Sequence, residues 1–164
     1  MSVPLPSLRT PRLILRSLGP ETMAALLDVE RLIERDRDIR RADDVLLGRL
    51  AHWAKVTDPM QPCGTWAVFR DETAIGRVAV DRRDDCPHAW LSYALAPAAR
   101  RQGLATEAAR VVLHWAFDAD RVSEIRSLVR PTNRPSIAVA RRLGMVKHPD
   151  SDGQNSVFAI RRAA

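Results

Sequence analysis

The sequence of 164 residues contains only two cysteines and no long apolar run. Cys63 and Cys86 fit neither a metal-site spacing nor a disulfide framework, so we expect two reduced thiols and no bound metal. A membrane-spanning helix needs about 18 consecutive apolar residues, and no stretch of the chain approaches that length. The segment from Met1 to Arg9 lacks the basic start and apolar core of a signal peptide. We therefore expect no membrane partner and a cytoplasmic protein.

Glycine is sparse, and its few positions exclude two common nucleotide folds. The chain has seven glycines and no Gly-Lys-Ser or Gly-Lys-Thr triplet, which excludes a P-loop. A dinucleotide-binding fold fails as well, because the second and third glycines of its fingerprint are missing. Any phosphate site in this protein must be built differently.

Length and composition predict one ordinary globular domain over residues 1–164, with a core at about 8–162. Hydrophobic residues make up 46% of the chain and charged residues 28%. The 26 basic and 20 acidic residues give a formal net charge of +6, which attracts polyanions. Many arginines alternate with aspartates, a pattern typical of solvated surface, so the charge by itself identifies no function.

Hydrophobic periodicity and turn residues predict a mixed α/β domain around a single sheet. The expected order is β-α-α-β-β-β-α-β-α-β-β. The strands are expected at 12–16, 65–70, 74–80, 88–95, 123–129, 145–148 and 156–161, and the helices at 21–34, 43–56, 106–118 and 133–143. The third helix carries a continuous apolar stripe, which predicts packing against the sheet.

One segment, from Arg100 to Thr106, joins the strand that ends at Leu95 to the third helix. It combines two arginines, one glycine and small residues where a helix begins. Free N–H groups and the helix dipole favour an anion there. Gly103 and Ala105 allow close approach of the backbone, and arginines supply charge-assisted hydrogen bonds. The segment therefore predicts a site for a phosphorylated ligand.

A second segment, Asn133-Arg-Pro-Ser136, predicts the start of the fourth helix. Asn133 is a natural N-cap and Pro135 suits a first turn, whereas Gly144 is placed to end the helix. Ser136 lies in the first turn. These structural roles need no ligand, so a second, functional interpretation of Asn133 and Ser136 must come from elsewhere.

The strand, the turn and the helix that follow one another around Arg100–Ala105 resemble the acetyl-CoA pyrophosphate motif of the GNAT N-acetyltransferase superfamily, Gln/Arg-x-x-Gly-x-Gly/Ala. Three further landmarks, in the same order as in the family, are Leu8–Arg16, Ala105–Ala108, and Asn133–Ser136 leading into Leu143–Met145. Together they resemble the branch that contains ribosomal-protein N-terminal acetyltransferases and some antibiotic acetyltransferases. The resemblance implies a mostly antiparallel central sheet, helices on both faces, and a cleft between two splayed strands.

The resemblance also implies an acyltransferase that uses acetyl-CoA as co-substrate and a primary amine as acceptor, with a homodimer left open. Backbone groups of three strand residues would pair with the pantetheine arm, and one of their N–H groups would meet the thioester oxyanion. Backbone N–H groups of the turn would hold the pyrophosphate, Arg100 or Arg101 would meet a ribose phosphate, and Asn133 would bond the cofactor arm. Ser136 would protonate or orient the departing thiolate, and Tyr93 is a competing acid. The strand residues are Tyr93, Ala94 and Leu95, with Leu95 as the oxyanion contact; the turn residues are Arg101, Gln102, Gly103, Leu104, Ala105 and Thr106.

The general base stays unassigned, because Trp90 occupies the position where members of this branch often have a glutamate. Nearby titratable groups have stronger interpretations as turn or exposed residues, namely Asp81, Asp84, Asp85 and His88. His52 and His114 lie on predicted helices and are interpreted as structural. The acceptor also stays open between a peptide N-terminus, an antibiotic amine and a metabolite amine.

Two alternatives remain beside the enzyme. The missing glutamate favours a catalytically weak sensor or partner domain that binds acetyl-CoA without efficient turnover. The charge and the Arg141-Arg142 pair suggest a nucleic-acid binder whose recognition helix would span 136–143. That helix is predicted to be half buried, so we do not expect a nucleic-acid partner.

Overall fold

A computed structural model describes residues 5–39, 41–55, 63–82, 86–118 and 122–163. Within these ranges eight strands form a single sheet in the order β1-β2-β3-β4-β5-β6-β8-β7. The strands are β1 (Leu8–Arg9), β2 (Ile14–Ser17), β3 (Gly64–Arg70), β4 (Thr73–Arg82), β5 (Ala89–Leu95), β6 (Glu124–Val129), β7 (Val146–Lys147) and β8 (Ser156–Arg161). The helices are α1 (Pro20–Asp36), α2 (Asp43–Lys55), α3 (Leu104–Asp118) and α4 (Arg134–Arg142).

Neighbouring strands pair antiparallel throughout this sheet, except for β5 and β6, which are parallel. The predicted mixed α/β class and the predicted order of elements are confirmed. Two short elements were missed: β1, which pairs with β2, and a 3-10 turn at Pro97–Ala99 after β5. Pieces of two or three residues are too short to show a hydrophobic period.

The helices pack on both faces of the sheet. One apolar cluster joins α3 and α4 to one face, and a second joins α1 and α2 to the other. The stripe predicted on α3 is core, as its residues Ala108, Ala109, Val112, Leu113 and Ala116 are buried. Neither Cys63 nor Cys86, both within the described ranges, forms a disulfide.

The helix ends follow from their capping residues. The side chain of Asn133 accepts a hydrogen bond from the Ser136 N–H at 3.2 Å, which confirms Asn133 as the N-cap of α4. Gly144 has φ +85°, a left-handed conformation that favours glycine, and it follows the last turn of α4. Helix α3 begins at Leu104, two residues before the predicted start, because the chain reverses at Gly103 with φ +75°.

The side chains of strand β5 alternate between the two faces of the sheet. Leu91 and Leu95 belong to the cluster with α3, whereas Ala94 packs with α1 and α2. Trp90 and Ser92 lie on the same face of the strand as Ala94, but Ser92 is exposed and Trp90 is only partly buried. The helices α1 and α2 therefore leave part of their face of β5 open.

Candidate active site

Strands β5 and β6 separate after a short stretch of pairing. The parallel ladder pairs only Ala89 with Ile125 and Trp90 with Arg126, although both strands continue beyond these residues. The splay expected from the family resemblance is therefore present. A gap opens between the second half of β5 and β6, and the start of α4 lies at its mouth.

The backbone of Leu95 faces this gap. The N–H of Ala96 donates to the carbonyl of Ile75 at 2.8 Å, so Ala96 and Ile75 form a hydrogen-bonded pair with β4. Hydrogen-bonded and non-bonded pairs alternate in an antiparallel ladder, and Leu95 pairs with Gly76 as a non-bonded pair. The N–H and C=O of Leu95 therefore point away from β4, into the gap.

Gly76 fixes how closely β4 approaches this part of β5. A Cβ atom built on Gly76 would lie 2.2 Å from the carbonyl oxygen of Ala94 and 2.9 Å from the Cα of Leu95. Only glycine leaves room for that carbonyl. The Ala94 carbonyl and the Leu95 N–H belong to the same peptide group. The carbonyl end of this group packs against β4, and the N–H end points into the gap.

The turn before α3 has the geometry of an anion site. Arg101 and Gly103 both have positive φ, 60° and 75°, and such turns bring successive N–H groups to one side. The first N–H groups of an α-helix have no acceptor inside the helix. In α3 the helical hydrogen bonds begin with the N–H of Glu107, which donates to the carbonyl of Gly103 at 3.1 Å. The donors of Leu104, Ala105 and Thr106 lie in this first turn.

Residues distant in sequence hold this turn in place. Arg12 donates to the Gln102 carbonyl at 2.9 Å and forms an ion pair with Glu107 at 2.6 Å. Arg70 donates to the Gln102 side chain at 2.7 Å, and Thr10 donates to Glu107. Burial of the Glu107 carboxyl works against ionisation, but the hydrogen bonds from Thr10 and Arg12 lower its pKa overall. Sequence reasoning missed these contacts because no local pattern signals them.

Two cavities adjoin the turn. The smaller, of about 330 Å³, lies at the gap beside β5 and α4. It brings together most of the predicted cofactor residues, namely Tyr93, Ala94, Leu95, Arg100, Arg101, Ala105, Asn133 and Ser136. The larger, of about 1060 Å³, lies over α3 and α4 and contains Gly103 and Thr106. Arg101 and Ala105 line both, so the two cavities meet at the turn.

The larger cavity is strongly basic. Its charged and titratable lining consists of Arg9, Arg12, Arg101, Arg110, Arg142, His114 and Glu107. Glu107 is the acid among them, and it is engaged by Arg12. His114 is exposed on α3 and lines this cavity, and His52 is exposed on α2. The interpretation of both histidines as structural stays a prediction.

Tyr93 crosses the gap to α4. Its hydroxyl donates to the backbone carbonyl of Ser136 at 3.0 Å. Burial raises the pKa of Tyr93 to about 12, although the side chain of Ser136 works in the opposite direction. The phenol is therefore a much weaker acid than a thiol, whose pKa is about 8.5.

The two predicted arginines have different surroundings. Arg100 donates from Nε to the carbonyl of Leu95 at 3.1 Å and from Nη1 to Asp36 at 2.6 Å. Arg101 is exposed and lies between the two cavities. Arg101 is thus the better placed of the two for a phosphate.

Histidine 88 does not take the place of the glutamate expected at position 90. His88 stacks edge-to-face on Trp90 with ring centroids 5.2 Å apart, on the open face of β5. It is seven residues before Leu95, or roughly 23 Å along an extended strand. Burial lowers its pKa. Asp84 and Asp85 lie outside the described residues.

Comparison with known proteins agrees with this geometry. The chain belongs to the GNAT acetyltransferase family, since residues 12–146 match the family described as "Acetyltransferase (GNAT) domain". It is therefore an acyltransferase by family. The described helices include none long and apolar enough to cross a membrane. In the same ranges no three His, Cys, Asp or Glu residues are grouped as metal ligands would be.

Three solved structures share the fold over almost the whole chain. An acetyltransferase from Agrobacterium tumefaciens C58 has 25% identity and a TM-score of 0.80, covering 99% of this chain and 98% of its own. A ribosomal-protein-S5-alanine acetyltransferase from Vibrio fischeri has 16% identity and a TM-score of 0.78, covering 96% and 97%. RimL, a ribosomal L7/L12 alpha-N-protein acetyltransferase in complex with coenzyme A, has 13% identity and a TM-score of 0.79, covering 95% and 98%. At such identities the last two support the fold alone.

Proposed function

We propose that the protein is an acetyl-CoA-dependent N-acetyltransferase that transfers an acetyl group to a primary amine. The observation that carries the proposal is the continuity of three features: the gap faced by Leu95, the anion-binding turn and the basic cavity. A thioester arm, a pyrophosphate and a phosphorylated nucleoside are joined in that order in acetyl-CoA. The protein offers a matching surface for each part.

The residues present fit the co-substrate. The backbone of Tyr93 and Leu95 would pair with the pantetheine amides, with Asn133 opposite them at the start of α4. Ala94 was expected to share this role, but the alternation that aims Leu95 into the gap makes Ala94 and Arg77 a hydrogen-bonded pair, so the N–H and C=O of Ala94 face β4. The N–H groups from Arg101 to Thr106 would hold the pyrophosphate, because they combine unpaired helix donors with a positive-φ turn. The cationic side chains of the larger cavity would take the nucleotide phosphate.

The chemistry requires direct attack of a neutral amine on the thioester carbon. The carbonyl oxygen becomes an oxyanion as the C–N bond forms, and the C–S bond then breaks to release the CoA thiolate. The N–H of Leu95 faces the gap and is the proposed oxyanion donor; loss of one such donor costs about 3 kcal/mol of barrier. The thiolate takes up a proton, and the amine loses one.

Ser136 is proposed to orient the departing thiolate or to relay a proton to it through water. A serine hydroxyl is a poor acid for a thiol of pKa about 8.5, and Tyr93, with its pKa raised to about 12, is also unfavourable. Tyr93 instead ties β5 to the carbonyl of Ser136. The two residues then face each other across the gap and are joined by this bond.

The acceptor must lose its proton without a glutamate at position 90. An α-amine has a pKa of about 7.7–8.0 and a lysine amine about 10.4, so α-amines supply far more of the neutral form near neutral pH. Two of the similar structures are named for acetylation of ribosomal proteins. Peptide N-termini and small primary amines are therefore the proposed acceptor classes.

A turnover assay tests the proposal. The purified protein is mixed with acetyl-CoA and a panel of acceptors: peptides beginning with serine or alanine, the same peptides with a blocked N-terminus and one lysine, and small primary amines. Release of the CoA thiol is followed with a thiol reagent. Acceptor-dependent release supports the enzyme, whereas binding of acetyl-CoA without release to any amine favours the sensor alternative.

The variant Trp90→Glu distinguishes further between the enzyme and the sensor alternative. It places a carboxylate where the family resemblance expects one, on a side chain at the open face of β5. If wild type binds acetyl-CoA but turns over slowly and Trp90→Glu turns over faster, the missing base limits catalysis. If the variant gains nothing, deprotonation of the acceptor is not the limiting step.

A further inference from the structure

The guanidinium of Arg100 joins three parts of the fold. Its Nε donates to the carbonyl of Leu95 at 3.1 Å, at the end of β5. Its Nη1 forms an ion pair at 2.6 Å with Asp36, the last residue of α1. Arg100 itself opens the turn that leads into α3. One side chain therefore links the gap, the anion-binding turn and the helix on the opposite face.

The contact with Leu95 completes the fixation of one peptide group. The carbonyl of Leu95 and the N–H of Ala96 belong to the same peptide plane. Arg100 holds the carbonyl end, and Ile75 on β4 accepts from the N–H end at 2.8 Å. Rotation of this plane would break one bond or the other. The plane next to it carries the N–H of Leu95, which is the proposed oxyanion donor.

Asp36 fixes the guanidinium in this arrangement. The two side chains are similarly exposed, at 38% for Arg100 and 39% for Asp36, so neither is pinned by burial. The ion pair satisfies part of the arginine fork and leaves Nε directed at Leu95. Asp36 also lines the smaller cavity, next to Arg37 and Arg100.

We propose that Arg100 is a positioning residue for acetyl transfer, held by Asp36, and that Arg101 supplies the side-chain contact to phosphate. This inference rests on the proposed function. Arg100 acts through the Leu95 backbone and contacts neither the acetyl group nor the acceptor. Its removal loosens the end of β5, which weakens stabilisation of the transition state more than binding of CoA.

The test compares neighbouring arginines in two measurements. Binding of CoA and of pantetheine, which lacks the pyrophosphate and the nucleotide, is measured by calorimetry. Turnover is measured with acetyl-CoA and the best acceptor of the panel. We expect Arg100→Ala to lower kcat between about tenfold and a hundredfold, as small misplacements do, while its Kd for CoA changes by less than about threefold. We expect Arg101→Ala to raise the Kd for CoA but not for pantetheine.

The role of the ion pair between Arg100 and Asp36 is tested separately, by comparing kcat in single and double variants. Asp36→Asn should lower kcat less than Arg100→Ala, and the double variant should be no worse than Arg100→Ala, because both changes disturb one contact. Arg100→Lys should rescue little, since one ammonium cannot reproduce a fork that bonds Leu95 and Asp36 together. Additive losses in the double variant would overturn the role of Asp36.

Failure of this inference is distinguishable from failure of the proposed function. If wild type neither binds CoA nor releases it from acetyl-CoA, the proposed function is wrong. If wild type is active and Arg100→Ala weakens CoA more than pantetheine with kcat unchanged, Arg100 is a phosphate ligand and the positioning role is wrong. Unchanged kcat with unchanged binding also overturns it.

Discussion

The hydroxyl of Tyr93 donates a hydrogen bond to the backbone carbonyl of Ser136 at 3.0 Å, across the gap between β5 and α4. This bond joins the strand that carries the proposed oxyanion donor to the helix that carries the proposed thiolate contact. The two walls of the cleft are thus held together on the side away from the paired part of β5 and β6.

The first prediction is a spectroscopic titration. The chain contains a single tyrosine, so tyrosinate absorbance reports Tyr93 directly. Burial raises its pKa to about 12, and we expect the absorbance midpoint there, with circular dichroism measured in the same samples to show that the protein is folded. A midpoint near 10 in folded protein would contradict the buried, bonded phenol.

The same pKa shift sets a pH dependence of stability. The folded pKa lies above the unfolded value of about 10, so the folded state keeps its proton between the two. The contribution of Tyr93 is complete below pH 10 and is lost as the pH rises toward 12. The free energy of unfolding should therefore fall from pH 9 to pH 11 by more in wild type than in Tyr93→Phe, which has no phenol to titrate.

The second prediction separates the capping role of Asn133 from its proposed contact with the co-substrate. Asn133→Ala loses the cap and should lower the free energy of unfolding by about 1 kcal/mol. Asn133→Asp keeps the oxygen acceptor for the Ser136 N–H but loses the amide donor. We expect the Asp variant to be nearly as stable as wild type, with CoA bound roughly three- to tenfold more weakly, as for one lost hydrogen bond. Equal binding by the Asp variant would make Asn133 a cap only.

The third prediction concerns the close approach at Gly76. A methyl group there would collide with the Ala94 carbonyl, and this is backbone that cannot swing away. We expect Gly76→Ala to lower the free energy of unfolding by about 1–3 kcal/mol and to lower kcat, because it displaces the peptide group that carries the Leu95 N–H. Gly48→Ala is the matched control: Gly48 lies in α2 with nothing within 4 Å, and this change should stabilise by about 0.5–1 kcal/mol. Normal kcat in Gly76→Ala would show that the collision does not reach the Leu95 N–H.

The sequence predicts the class of fold, the order of the main elements and the anion-binding turn, because each depends on local signals. Gly103 predicts the reversal of the chain, Asn133 predicts the start of α4, and the apolar stripe on α3 predicts its place in the core. The contacts that set the chemistry join residues far apart: Arg100 and Asp36 are separated by 64 positions, and Arg12 and Glu107 by 95. Hydrophobic periodicity carries no information on such pairs. The proposed division of roles between Arg100 and Arg101 therefore depends on contacts that only the fold shows.

Thermal unfolding with and without acetyl-CoA tests the central claim, that the cleft and the turn bind this co-substrate. At one hundred times Kd, one site adds about 2.7 kcal/mol of stability. For a domain of this size we expect Tm to rise by roughly 5–11 °C. Gly103→Glu, which places a carboxylate in the anion-binding turn, should remain folded and show no rise. Wild-type protein whose Tm does not change at millimolar acetyl-CoA would contradict the account.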